Sequence, residues 1–225
     1  MLKFADGIWL DTEPMRIMGM PLSVTMTALQ LANNELLIYS PVAMTPQRRA
    51  AVEALGQVTH LYAPNLFHHR WIGEWAAAFP SAWVHGPAGL SKKRPDLRIN
   101  RLHGETLKEV FSGVLEEFPI EGFRLRETAL LYRPAQAMLV ADLVQNVGRP
   151  THPWTMTYTR LMGFYDQVAL SRALRWTAFD DRRSARRSID AILAQPFDRL
   201  IVGHGDPIPS NAKSALATAF GWLKG

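Results

Sequence analysis

The chain has 225 residues, 48% of them hydrophobic, enough for one sizeable core in a single domain spanning 1–225. It contains no cysteine, which excludes disulfides, thiolate metal ligands and thiol nucleophiles. No apolar run approaches the roughly 18 residues that span a bilayer. The formal net charge is +5, and Met1-Leu2-Lys3-Phe4-Ala5-Asp6-Gly7 has no apolar stretch of signal-peptide type, so a cytoplasmic protein with no membrane partner is expected.

Apolar and β-branched runs at 25–31 and 35–40, split by Asn33-Asn34, predict a hairpin. Thr45-Pro46 opens a helix that Gly56 closes, the usual asymmetry of a capped start and a glycine stop. A short strand at 58–62 leads into Pro64-Asn65. A helix is predicted at 72–78 and another short strand at 82–85. Residues 86–108, rich in Lys, Arg, Pro and Gly, read as loop. A second hairpin is predicted from 128–132 and 137–141 across Arg133-Pro134-Ala135-Gln136, and the aromatic-rich stretch 150–178 as helix.

Residues 181–194 form a predicted helix with Ala185, Ile189, Ile192 and Leu193 on one face. Arg183, Arg186 and Arg187 fall opposite them, at about 100° per residue. That Arg-rich face, with Arg172, Arg175 and Arg182 nearby, is expected to be solvated. It lacks the interleaved aromatics of single-strand binders, so nucleic acid is not the expected partner. A strand at 200–202 and an amphipathic helix at 211–223 finish the chain. Strands followed by helices, twice, suit two mixed sheets packed face to face with helices outside, an α+β four-layer sandwich.

In that architecture loops at the strand ends meet at one edge. The 58–62 strand leads to His68-His69, the 137–141 strand ends in Asp142, and the last strand ends in Gly203-His204-Gly205-Asp206. Two imidazoles and a carboxylate are what an open Zn or Fe site requires, with a position left for a water of lowered pKa. His68 or His69 is equally able to cap the following helix, and Asp142 to bond its own loop. No G-x-S-x-G, G-x-G-x-x-G or P-loop is present. Ser210-Asn211-Ala212-Lys213 fits S-x-x-K but reads as the polar start of the last helix. Of the remaining histidines, His60, His103 and His152 read as structural or solvated, and His85 as a pocket residue.

With these residues in view, the chain resembles the metallo-β-lactamase-like superfamily, in a DUF-type branch of it. The resemblance rests on Ala63-Pro64-Asn65-Leu66-Phe67-His68-His69, Gly73-Glu74-Trp75, Phe79-Pro80, Gly89-Leu90, Gly19-Met20-Pro21, Met26-Thr27, Ser40-Pro41, Glu121-Gly122-Phe123-Arg124, Ala141-Asp142-Leu143 and His204-Gly205-Asp206. It implies an αββα fold, with Asp142 in the place of the bridging aspartate and His204 in that of the terminal histidine. The superfamily's His-x-His-x-Asp-His loop is degenerate here. If His69 takes the last slot, Pro64, Leu66 and His68 fill the others; if His68 does, Ala63, Asn65 and Phe67 fill them. The later histidine has no counterpart between Gly122 and Thr128, where Glu127 offers an oxygen.

Two functions follow as expectations. The first is a metal-dependent hydrolase with a reduced, mononuclear site, holding one Zn or Fe ion on Asp142, His204 and His68 or His69, with Asp206 orienting His204 and a small-molecule substrate. Asn65, Glu127 and His85 would then line the site. The second is a metal-free binding or scaffold protein that takes an anionic ligand in the same cleft, with Arg124 and Arg126 beside it.

Overall fold

The computed structural model describes residues 1–104, 111 and 113–223. A seven-stranded sheet contains β1 (Leu2–Ala5), β2 (Ile8–Ile17), β3 (Met20–Gln30), β4 (Glu35–Tyr39), β5 (Gln57–Tyr62), β6 (Trp83–Gly86) and β7 (Arg101–Leu102), in that spatial order. Strands β1 to β4 pair antiparallel, and β4 to β7 pair parallel. The second sheet, in the order β11-β10-β9-β8, contains β8 (Leu115–Pro119), β9 (Thr128–Tyr132), β10 (Ala137–Leu139) and β11 (Arg199–Ile201). Only its β10–β11 pair is parallel. Both sheets are therefore mixed.

Period-two alternation builds the layers. Leu29, Leu37, Tyr39 and Tyr62 of the first sheet meet Leu130, Tyr132, Leu139 and Ile201 of the second in the inter-sheet core. The alternate residues Ala28, Leu36, Ile38 and Leu61 face outward onto α1 (Pro46–Glu53) and α2 (Ile72–Ala78), through Val52, Ile72 and Trp75. On the far side, Leu131, Met138 and Leu200 pack on α6 (Arg182–Leu193) and α7 (Ala212–Ala219), through Ala185, Ile189, Ile192 and Leu216. Three apolar interfaces separate four layers. Trp75 is fully buried and donates its indole N–H to the Val42 carbonyl at 2.7 Å, so truncating it to alanine is expected to cost about 3–5 kcal/mol.

The local signals act as the sequence indicates. Thr45 accepts from the Arg48 amide at 3.1 Å with Pro46 following it, and Asp181 caps α6 by accepting from Arg183 and Ser184 at 3.0 Å each. Asn33 and Asn34, at φ 56° and 62°, turn the first hairpin. Three readings are corrected. Strands β1, β2 and β8 were not anticipated; in β2 the exposed Pro14 and Arg16, and Asp11 and Glu13 that pair with Arg48, break the apolar alternation. The stretch 150–178 is two helices, α4 (Pro153–Met162) and α5 (Arg172–Thr177): Gly163, at φ 76°, ends the first, and Ser171 caps the second. Residues 86–108 contain the short helix α3 (Leu90–Lys93) and β7, while the loop reading for 105–108 lies outside the described residues. No helix among the described residues is long and apolar enough to cross a membrane.

Candidate metal centre

His68, Asp142 and His204 converge where three chain segments end. The carbonyl end of β5 runs into a turn organised by Asn65. Its Oδ1 accepts from the backbone amides of Phe67 and His68, both at 2.8 Å, which turns His68 inward. The Asn65 amide nitrogen donates to Asp142 Oδ2 and Glu127 Oε2, each at 2.9 Å. Asp142 follows β10 and His204 follows β11. Gly203 lets the two come together: a Cβ there would stand 2.7 Å from the Ala141 carbonyl oxygen and 2.7 Å from His68 Cε1. All three side chains are buried.

Glu127 holds the Asp142 loop. Its Oε1 accepts from the amides of Ala141 (2.7 Å) and Leu143 (3.3 Å), and its Oε2 from that of Asp142 (2.8 Å). Both oxygens are thereby occupied, so Glu127 positions the loop and is not itself a ligand. Burial and the charge of Asp142 push its carboxyl up to about 7. Burial also works against the Asp142 charge, but His68 and His204 outweigh it and hold that carboxyl well below the usual range.

The imidazoles are oriented from behind. His204 Nδ1 lies 2.8 Å from the Ser23 carbonyl, which can only accept, so Nδ1 carries the proton and neutral His204 offers the Nε2 lone pair. His68 Nδ1 lies 2.8 Å from Ser40 Oγ. The inward atoms form a triangle: Nε2 to Nε2 is 3.3 Å, His68 Nε2 to Asp142 Oδ2 is 3.5 Å, and His204 Nε2 to Asp142 Oδ1 is 3.4 Å. These spacings are long for hydrogen bonds. They match the ligand-to-ligand separation of about 3.3–3.4 Å that a tetrahedral site with zinc–nitrogen bonds of about 2.0–2.1 Å requires. The His204 lone pair and the Asp142 carboxylate, converging with His68 Nε2, also call for positive charge. Burial lowers the His204 pKa, but the bond and charge of Asp142 override it and raise the value, and the same field suits a cation. The donor set fits a single Zn or Fe ion.

The triangle forms the floor of a cavity of about 440 Å³. Its walls come from the β2–β3 hairpin tip (Met15, Ile17, Met18, Met20, Leu22), from Phe67 and Trp71, and from Tyr158, Phe164 and Leu174 beyond them. Arg70 is the one cationic side chain among the lining residues.

The other expected site residues lie elsewhere. His69 is buried but turned away from the cavity: its Nδ1 is 3.4 Å from an Arg94 nitrogen, and burial together with the Lys93 and Arg94 charges lowers its pKa, surroundings that repel a cation. His85 points from β6 into the inter-sheet core, where its Nε2 is 2.9 Å from His60 Nδ1, and it does not reach the cavity. Arg124 is exposed and donates to the Thr177 carbonyl at 3.3 Å, because its segment is tied to residues 177–179 by the Phe123–Phe179 bridge. Arg126 is exposed as well, and neither arginine lines the cavity. Asp206 is exposed too; the Ser23 carbonyl holds His204 in the place expected of it. Sequence reasoning missed Ser23 and the role of Ser40, although Ser40-Pro41 was among the resembling segments. A backbone carbonyl leaves no side-chain signal.

No protein-family model matches the chain, and no curated protein matches it in sequence. Solved structures do. A metallo-beta-lactamase from Pontibacter korlensis superposes with TM-score 0.66 at 11% identity, covering 99% of this chain and 97% of that one. The metallo-beta-lactamase FIM-1 from Pseudomonas aeruginosa, in its mono-zinc form, gives 0.63 at 12% identity over 96% and 92%. A metallo-beta-lactamase from Erythrobacter litoralis gives 0.64 at 11% identity over 97% and 94%. The chain has the metallo-β-lactamase fold, a four-layer sandwich of two mixed sheets between helices.

Proposed function

We propose that the protein is a metal-dependent hydrolase whose mononuclear site is His68, Asp142 and His204. The observation that carries this reading is the 3.3–3.5 Å triangle of two imidazole Nε2 atoms and a carboxylate on a cavity floor. A Zn or Fe ion bound there supplies Lewis-acid activation of water and substrate. The chain's own residues do the rest. Ser23 and Ser40 fix the rings, Asn65 and Glu127 fix Asp142, and the apolar walls exclude bulk water. With Glu127 occupied and Asn65 where a further imidazole would stand, the described residues offer one three-ligand set. The mono-zinc form of FIM-1, on the same fold, supports this stoichiometry. The walls select a small substrate with an apolar body whose hydrolysable bond lies over the triangle. The anion-binding alternative loses its contacts, because Arg124 and Arg126 lie outside the cavity.

Elemental analysis of the purified protein beside Asp142→Ala and His204→Ala tests the reading. About one Zn or Fe per chain is expected in the parent, with affinity at least tenfold to a hundredfold lower in each variant. Equal metal content in all three proteins would sink it.

A further inference from the structure

Seven large hydrophobic side chains are exposed among the described residues, and five of them lie on the segments that wall the cavity: Met18 (70% exposed), Phe67 (58%), Trp154 (46%), Leu161 (61%) and Trp176 (70%). The segments are joined at the mouth. The Trp154 indole donates to the Met18 carbonyl at 3.0 Å, the Tyr158 hydroxyl lies 3.8 Å from Met18 Sδ, and Arg172 of α5 donates to the Leu161 carbonyl of α4 at 3.0 Å. Trp176 follows the cavity-lining Ala173 and Leu174 on α5. Exposed apolar side chains gathered on one face mark an interaction surface, whereas scattered ones do not.

The charge on these segments is one-sided. Residues 15–22, 66–71 and 153–176 contain Arg16, Arg70, Arg160, Arg172 and Arg175 against a single acid, Asp166, whose carboxylate is paired with Arg149 at 2.7 Å. None of these five arginines has a carboxylate partner among the described residues, and four are exposed; the fifth, Arg175, is turned to the Leu170 carbonyl and the Trp222 ring. Tryptophan, leucine and methionine beside arginines without carboxylate partners form an interfacial pattern, apolar groups entering the headgroup boundary while guanidinium groups meet anionic lipid.

We infer that the cavity mouth docks on an anionic lipid surface. The absence of a membrane-spanning helix does not bear on this, since peripheral docking needs none. Nor does it depend on the metal.

Co-sedimentation of the full chain with vesicles of phosphatidylcholine alone, and of phosphatidylcholine with phosphatidylserine, tests the inference. Binding to the mixed vesicles is expected at low salt and should weaken as salt rises. Met18→Ser with Trp176→Ser should reduce it at least tenfold, as should Arg70→Glu with Arg172→Glu; all four positions are exposed. Trp83→Ser, an exposed tryptophan off this face, and His204→Ala should bind as the parent does, which separates docking from the fate of the metal site. Failure to bind the mixed vesicles at low salt would overturn the inference, as would binding indifferent to the mouth variants. Self-association that the mouth variants abolish, without vesicle binding, would assign the face to a second copy of the chain.

Discussion

Two groups of histidines sit in the same sandwich, one at the strand ends of both sheets and one between the sheets, and their neighbours set them to opposite tasks. His68 meets His204 at the strand ends with a carboxylate between them, their Nδ1 atoms anchored and their Nε2 atoms turned to a cavity. His60, His85 and His103 sit between the sheets. His60 and His85 bond each other at 2.9 Å, and His103 stacks on Tyr62 with ring centroids 4.5 Å apart. Burial lowers the inner three to about 4, 3 and 3, while the nearby Glu117 is raised by burial. A buried imidazole beside a buried carboxylate is a cation site; one beside other imidazoles is neutral packing.

The largest effect that tests this contrast is acid instability from the inner group. A histidine whose folded pKa is depressed stays neutral in the native state and protonates in the unfolded chain, so stability is full above about pH 6.5 and falls as pH drops toward the folded value. Glu117, raised in the fold, gives the opposite slope. Glu127, raised to about 7, opposes the histidines as well, and three against two leaves a loss of about 1–2 kcal/mol per pH unit between about pH 6 and 4.5. Denaturant unfolding at pH 7, 5.5 and 4.5 measures it. His103→Phe, which keeps the stack on Tyr62, should take about 1.4 kcal/mol per pH unit off the slope. An unchanged slope would mean that the acid sensitivity arises elsewhere.

A smaller effect sharpens the outer group. Glu127→Gln replaces an oxygen that accepts two hydrogen bonds with an NH₂ that can only donate, beside a loop whose amides all point inward. The expected cost is about 2–3 kcal/mol of stability. Metal affinity should fall with it, because Asp142 loses the clamp that aims it, and the acid slope should steepen because the opposing titration of Glu127 is gone. Should the midpoint fall with metal affinity intact, Glu127 holds the fold and not the ligand.

The fold was legible where pattern and punctuation agreed. The two hairpins, the Thr45 cap and the amphipathic α6 each carried both a periodicity and a start or stop residue. The strand β2 was not, because its alternation is interrupted by proline and by acids that pair with Arg48 across the structure. Asp142 and His204 were legible as residues ending apolar runs. Ser23 was invisible because it acts through its carbonyl, and the misplacement of Arg124 and Asp206 came from treating sequence neighbours of the site as spatial ones. His85 was misread because strand alternation decides its face, and a four-residue strand leaves that parity open until its register with His60–Tyr62 is known.

The choice between His68 and His69 was open in the sequence and gives the smallest, most discriminating test. The Asn65 side chain takes the amides of residues 67 and 68, so the turn points the ring of His68 inward and that of His69 toward Arg94. His69→Ala removes an imidazole already disfavoured for cation binding by two basic neighbours, and should leave metal affinity within about twofold, below about 0.5 kcal/mol. His68→Ala removes one of three ligands and leaves Asp142 facing a single imidazole, so metal content should fall as it does in His204→Ala. Titration of zinc into the two variants under one condition reads the difference directly. Equal losses would mean that the turn rearranges to present either ring, and that the contrast between inward and outward histidines is a property of the empty loop rather than of the metal site.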